Sequence, residues 1–241
     1  MKAINIFPFG DSALVVQLGE GVDPATHEKV QLLCAYLDDH PLEGMTEYLP
    51  AFTNVTIYYD CYHVLQDAGL DSEQLPYELF RERVQRLLEQ IEPGEQVEAR
   101  TVEIPVYYGG ELGRDLETVA RHNSLTPEDV IRIHTEGDYL TYMIGFAPGF
   151  PYLGGLSERI ATPRRETPRL AIPAGTVGIA GTQTGVYPIE TPGGWQLIGH
   201  TPLKLFQPDQ WPPTLIQAGD RVKFKAISKD EYDQLVKEGA Q

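Results

Sequence analysis

The sequence predicts an α+β unit over residues 1–94, followed by a mainly-β unit, a barrel or sandwich, over residues 95–241. Three observations carry this. Strand-like and helix-like apolar periods alternate in the first part, in the order strand, strand, helix, strand, strand, helix. Residues 145–202 then hold 11 of the 23 glycines and 8 of the 19 prolines, a density through which no helix can run. Between the parts, Glu92-Pro93-Gly94-Glu95 interrupts both patterns and reads as a linker.

Ile4 to Phe9 and Ala13 to Leu18 are predicted strands joined at Gly10-Asp11 as a hairpin, with Asp11 stabilising the turn. Asp23-Pro24 opens a helix, Asp as cap and Pro in the first turn, whose buried stripe is Val30, Leu33, Cys34 and Leu37. Strands follow at Thr46–Leu49 and Asn54–Tyr59. A second helix runs from Ser72 to Gln90, with Leu79, Phe80, Val84, Leu87, Leu88 and Ile91 inward and Arg81, Arg83 and Arg86 on the solvent side. A sheet covered on one face by two helices satisfies this order.

Past the linker, Val97–Tyr108 reads as a strand, and Asp115–His122 and Thr126–His134 as short helices. The second of these helices has Thr126 as cap, Pro127 in the first turn and Asp129 closing an acidic capping box. From Tyr139 the pattern is all β, up to Asp220–Ile227 and a short polar helix, Asp230–Glu238.

Charge narrows the function. The chain carries 19 Lys+Arg against 35 Asp+Glu, a formal net charge of −16, which argues against nucleic acid or an anionic membrane surface as partner. Residues 1–144 hold 9 basic and 26 acidic side chains, whereas residues 145–202 hold 4 and 3, so small anions remain admissible in the Gly/Pro-rich segment. The start of the chain has no basic region followed by an apolar stretch, and no apolar run reaches the ~18 residues of a membrane span, which points to the cytoplasm. Cys34 and Cys61 have no ligand-spaced partner and read as inert thiols, so neither a disulfide nor a metal site is expected. Nucleotide-binding glycine loops, HExxH, GxSxG and CxxC are all missing.

GFAPGFPYLGGL, RRETPRLAIPAGTVGIAGTQTGVYPIETPGGWQLIGHTPLKLF and the early FGDSALVVQLGE together resemble the family of 5-oxoprolinase B subunits, which also includes the Kip-type inhibitor of a sporulation histidine kinase and allophanate hydrolase subunit 1. The resemblance covers nearly the whole chain. It implies a cyclophilin-like barrel from about residue 95, similar to half of the carboxyltransferase module of urea amidolyase, with a homologous barrel protein, the C subunit, supplying the other half. It further implies that the A and C subunits, together with this chain, cleave 5-oxo-L-proline to L-glutamate at the expense of ATP. The chain has no biotin-attachment Ala-Met-Lys-Met. Two alternatives stand beside this: a non-enzymatic inhibitor docking on a sensor histidine kinase, and a subunit hydrolysing allophanate or another ureido amide.

Residue chemistry supplies the candidate site. Opening a lactam with ATP needs cations for phosphates, donors for a developing oxyanion and a proton-transfer group. Arg164, Arg165 and Arg169 are the one Arg cluster flanked by Gly/Pro loops. Thr182 and Gln183 are the expected donors, with Tyr152 and Trp195 as pocket walls. His200, the one histidine in the Gly/Pro-rich segment, is the expected proton-transfer residue, catalytic alongside Arg169.

Overall fold

The computed structural model describes residues 4–21, 23–69, 72–91 and 99–239. The chain divides into two compact units, residues 1–98 and 99–241. The expected linker at residues 92–95 lies outside the described residues.

In the first unit β1 (Asn5–Pro8), β2 (Ala13–Gln17), β3 (Met45–Pro50) and β4 (Asn54–Tyr59) form an antiparallel sheet in the order β1-β2-β4-β3. Gly10, at φ +66°, turns the β1–β2 hairpin as predicted. Helix α1 (Pro24–Asp39) starts where Asp23 accepts a hydrogen bond from Thr26 N–H at 2.9 Å, with Pro24 in the first turn. Its Val30, Leu33, Cys34 and Leu37 are buried against Leu14, Val16, Val55 and Ile57 of the sheet. Each such side chain taken from water contributes roughly 1.5–3 kcal/mol. Helix α3 (Pro76–Gln90) adds Phe80, Val84 and Leu87 to the same core.

Three details differ from the sequence expectation. A short helix, α2 (Cys61–Ala68), follows β4; it escapes periodicity because Val64 is its one fully buried residue, and it is held at its start by Asp60, which accepts from Tyr62 and His63 N–H. Helix α3 begins at Pro76 rather than Ser72, because Pro76 occupies its first turn and Glu78 reaches back to Leu75 N–H at 3.0 Å. Nor is Arg83 merely solvated: it donates to the Glu43 carbonyl at 2.6 Å and pairs with Asp67 at 3.1 Å.

The second unit closes into a seven-stranded barrel. Its strands are β5 (Thr101–Tyr108), β6 (Tyr139–Ile144), β7 (Pro151–Gly154), β9 (Thr176–Ala180), β10 (Gln183–Val186), β12 (Gln196–His200) and β13 (Arg221–Ala226), in the order β10-β7-β6-β13-β5-β12-β9. The β5–β13 pair is parallel and the others are antiparallel. Strands β8 (Arg169–Ile172) and β11 (Thr191–Gly193) make a separate two-stranded ribbon. Helices α4 (Leu116–His122) and α5 (Pro127–Glu136) add Val119, Val130 and Ile133 to a core built on Ile104, Val106, Val177, Ile179, Ile198 and Val222. The Thr126–Asp129 capping box is present at α5. Helix α6 (Lys229–Glu238) starts on a Ser228–Glu231 capping box and ends at Gly239, φ +66°.

The turn between β5 and α4 is pressed onto β12. Gly109 N–H donates to Ile198 O and Asp115 N–H to Leu197 O, at 3.0 and 2.8 Å. A Cβ on Gly113 would collide with Ile198 O, a backbone atom that cannot step aside. Gly113→Ala is therefore expected to cost about 1–3 kcal/mol, as overpacking does, read as a lower urea midpoint at unchanged slope. An unchanged midpoint would mean that the turn is free to lift off the strand.

Among the described residues, no helix is long and apolar enough to cross a membrane.

Candidate functional site

The arginine-rich segment is pinned to the barrel at several points. Thr162 and Gly181 exchange backbone hydrogen bonds, Gln196 Nε2 donates to Pro163 O at 2.9 Å, and Arg165 N–H donates to Gly194 O at 2.7 Å. The segment then runs into β8, whose Arg169 pairs with Gly193 of β11.

At the centre sits Asp115, which is buried. One carboxylate oxygen accepts from Leu197 N–H at 2.7 Å; the other accepts from Arg169 Nη2 at 2.8 Å and from Arg165 Nη1 at 3.5 Å. Asp115 stands at the N-cap of α4, yet its side chain makes no cap hydrogen bond to that helix. It has been given to the arginines and to β12 instead. Two of the segment's three guanidiniums, Arg165 and Arg169, therefore meet a single buried carboxylate, while Arg164 makes no hydrogen bond or ion pair among the described residues. In a chain of net charge −16, this leaves a local cationic surface. Beside it opens a cleft of about 420 Å³ lined by Thr118, His122, Thr162, Pro163, Arg164, Arg165, Glu166, Thr167 and Gln196.

An aromatic cluster adjoins the arginines. Phe150 meets Tyr152, Tyr187 and Trp195 edge-on, with ring centroids 5.2, 5.4 and 5.5 Å away. Burial pushes the Tyr187 phenol up to about 12, against a smaller opposing pull from the Trp195 backbone N–H and the Arg164 and Arg169 charges. Tyr152 and Trp195 therefore stand together, with Phe150 between them. Thr182 lies in the β9–β10 turn and Gln183 opens β10, next to the Thr162–Gly181 bridge and close to the start of the arginine segment.

His200 is elsewhere. Gln196 pairs with Ile179 and His200 with Thr176, so the two ends of β12 face opposite ends of β9. Four residues of strand span roughly 13 Å. His200 Nδ1 lies 2.8 Å from Tyr232 Oη of α6, and burial lowers its pKa despite hydrogen bonds to the Ala174 and Thr201 carbonyls.

The family "Carboxyltransferase domain, subdomain C and D" matches residues 4–216. The chain is 53% identical to the 5-oxoprolinase B subunit of Bacillus subtilis (strain 168), over 95% of each chain. It belongs to the family of 5-oxoprolinase B subunits. The Escherichia coli O157:H7 member of that family is 43% identical over 93% of this chain and 96% of its own. The solved structure of TTHA0988 superposes with a TM-score of 0.75 at 34% identity, covering 90% of this chain and 40% of that one. This member of the 5-oxoprolinase B-subunit family therefore spans about two-fifths of the longer TTHA0988 chain.

Sequence reasoning missed Asp115, Gln196, His122 and Tyr232. Asp115 had a local signal, but an Asp ahead of an apolar helix reads as a cap. Its real partners lie 50, 54 and 82 residues away. For a metal, Glu43, His63 and Asp67 bring ligand atoms within 4.8 Å of one another on the surface of the first unit. Arg83 already pairs with Asp67 there.

Proposed function

We propose that this chain is the B subunit of an ATP-dependent 5-oxoprolinase, cleaving 5-oxo-L-proline to L-glutamate together with the A and C subunits. The observation that carries it is the 53% identity over 95% of both chains with the Bacillus subtilis protein. The cationic cleft supports it: 5-oxoproline has a carboxylate and ATP has phosphates, and a guanidinium binds either in a bidentate fork. On this reading the barrel is cyclophilin-like and is completed by the homologous barrel of the C subunit. Arg164, Arg165 and Arg169 take the anionic groups, Thr182, Gln183 and nearby backbone N–H groups face the amide oxygen, and Tyr152 and Trp195 wall the pocket. His200 stays as a separate proton-transfer group at the far end of β12, a strand's length from the arginines and apart from the bond broken there.

Transfer of a phosphoryl group from ATP to the amide oxygen, with ADP leaving, makes the carbonyl carbon electrophilic; one water then opens the ring at the C–N bond, and a second releases phosphate from the resulting acyl phosphate. The protein's part is to neutralise the anionic groups, hold the carbonyl and move protons.

The test is reconstitution. This chain is mixed with the A and C subunits, 5-oxoproline and ATP, and glutamate and phosphate are measured with each component protein omitted in turn. Glutamate release that persists without this chain would sink the reading. Within the complete mixture, Arg169→Ala and His200→Ala are each expected to lower the rate tenfold or more, about 1.4 kcal/mol of barrier. Wild-type rates in both variants, with folding intact, would make these residues structural.

A further inference from the structure

The geometry points to His122 as the proton-transfer residue for the bond broken at the arginines, and to the cleft between α4 and the arginine segment as the site of the anionic amide substrate. This assignment rests on the lactam-cleavage reading above.

His122 ends α4 and lines the cleft of about 420 Å³ together with Arg164, Arg165 and Gln196. Its imidazole makes no hydrogen bond, ion pair or ring contact among the described residues. Of the six histidines, His134 is sealed in the barrel with both nitrogens bonded, and His200 is committed to Tyr232 a strand's length away. His27, His40 and His63 belong to the first unit. That leaves His122 as the imidazole beside the arginines with its nitrogens uncommitted. The charged groups that share the cleft with it are Arg164, Arg165 and Glu166. Arg164, without an ion pair, supplies an unspent cation for the substrate carboxylate, while Arg165 is shared with Asp115.

Imidazole suits this task because its protonation changes near neutral pH and either nitrogen can give or take a proton. ATP, named in the reading, transfers its terminal phosphoryl group to the amide oxygen and leaves as ADP. Water's oxygen then bonds to the carbonyl carbon as one of its protons passes to the imidazole. The C–N bond breaks as that proton is delivered to the lactam nitrogen, and the imidazole returns to its starting state. The water's second proton goes to solvent, leaving an acyl phosphate from which a second water releases inorganic phosphate and the carboxylate, and the amine takes up a proton from solvent.

The experiment uses the complete mixture with the A and C subunits. His122→Ala is expected to lower kcat by about 100-fold or more, to leave KM for 5-oxoproline within a few-fold, and to flatten the limb of the pH–rate profile that depends on a neutral base. Added imidazole should restore part of the rate. Because the side chain is exposed, the urea midpoint should match wild type. A kcat within twofold of wild type, or a rise in KM at full kcat, overturns the assignment while the reading stands. A wild-type mixture that makes no glutamate, or makes it without this chain, overturns the reading and the assignment with it. In the chain alone, titration with inorganic phosphate should shift the His122 ring resonances ahead of those of His200. The reverse order would count against the cleft.

Discussion

Replacing Asp115 with alanine is expected to lower the stability of the second unit by about 3–5 kcal/mol, the cost of stripping one partner from a buried ion pair. The carboxylate is buried and accepts from three donors on two segments: Leu197 N–H, Arg169 and Arg165. Without it, a backbone N–H on β12 loses its side-chain acceptor. Arg169, whose side chain is 22% exposed, loses the acceptor that compensates its desolvation. For a unit of this size, 3–5 kcal/mol corresponds to a fall of about 10–17 °C in Tm. Glutamate release in the complete mixture should fall at least tenfold, because Arg165 and Arg169 are no longer aimed. Asp115→Asn keeps an oxygen for Leu197 but removes the charge, so its loss should be intermediate. A Tm for Asp115→Ala within 2 °C of wild type would show that the arginines and β12 do not depend on this carboxylate.

On the proposed function, the same geometry lets an acidic protein hold an anionic substrate. Long-range repulsion from a net charge of −16 is screened beyond about 8–10 Å at physiological salt, and inside that range the arginines dominate. Asp115 does not cancel them. It faces inward, it fixes two of the three guanidiniums and it leaves Arg164 toward the cleft. Mutating Asp115 therefore removes a negative charge next to the proposed anion site and is still expected to weaken function, because position outweighs charge count.

What could be read in the sequence divides by range of interaction. The hairpin at Gly10, the Asp23 cap, the Thr126–Asp129 box and the inner stripe of α1 all depend on residues close to one another along the chain, and the structure has them as expected. The Gly/Pro density announced strands and tight turns, and the strands close into a barrel. The arginines, Trp195, Thr182 and Gln183 come near one another because β9, β10 and β12 are neighbours and the segment between β7 and β8 is pinned across them. The distance from His200 to Arg169 was not legible. It depends on register: whether Gln196 or His200 meets the β9 end nearer the arginines is decided by the pairing of Gln196 with Ile179, and no local pattern states that. His122 was hidden for a similar reason, since 42 positions of chain separate it from Arg164 and only the fold brings α4 to the arginine segment.

The second large effect concerns acid. His134, on α5, is fully buried in the barrel core. Its Nδ1 lies 2.7 Å from Tyr108 Oη and its Nε2 lies 2.9 Å from Thr184 Oγ1. Thr184 donates its own proton to Gly178 O at 3.0 Å, so it accepts from Nε2–H, and Nδ1 accepts from the Tyr108 hydroxyl. The ring is therefore held neutral, and burial lowers its pKa from 6.5 to about 3. A folded-state pKa below the unfolded value of ~6.5 means that the unfolded chain takes up a proton the folded chain refuses. The stabilisation is complete above pH ~6.5 and is lost as pH falls toward 3, at about 1.4 kcal/mol per pH unit, or roughly 4–5 kcal/mol in all. His134→Gln isolates this contribution from that of the carboxylates. A glutamine amide can accept from Tyr108 and donate to Thr184 but does not titrate. The variant should be less stable than wild type by about 1–2 kcal/mol at pH 7, through imperfect packing. By pH 4 it should match or exceed wild type. Urea midpoints measured every half unit from pH 7 to pH 4 decide the matter. If wild type and variant lose stability in parallel, the imidazole is not held neutral, and the hydrogen-bond chain from Tyr108 to Gly178 does not exist as drawn.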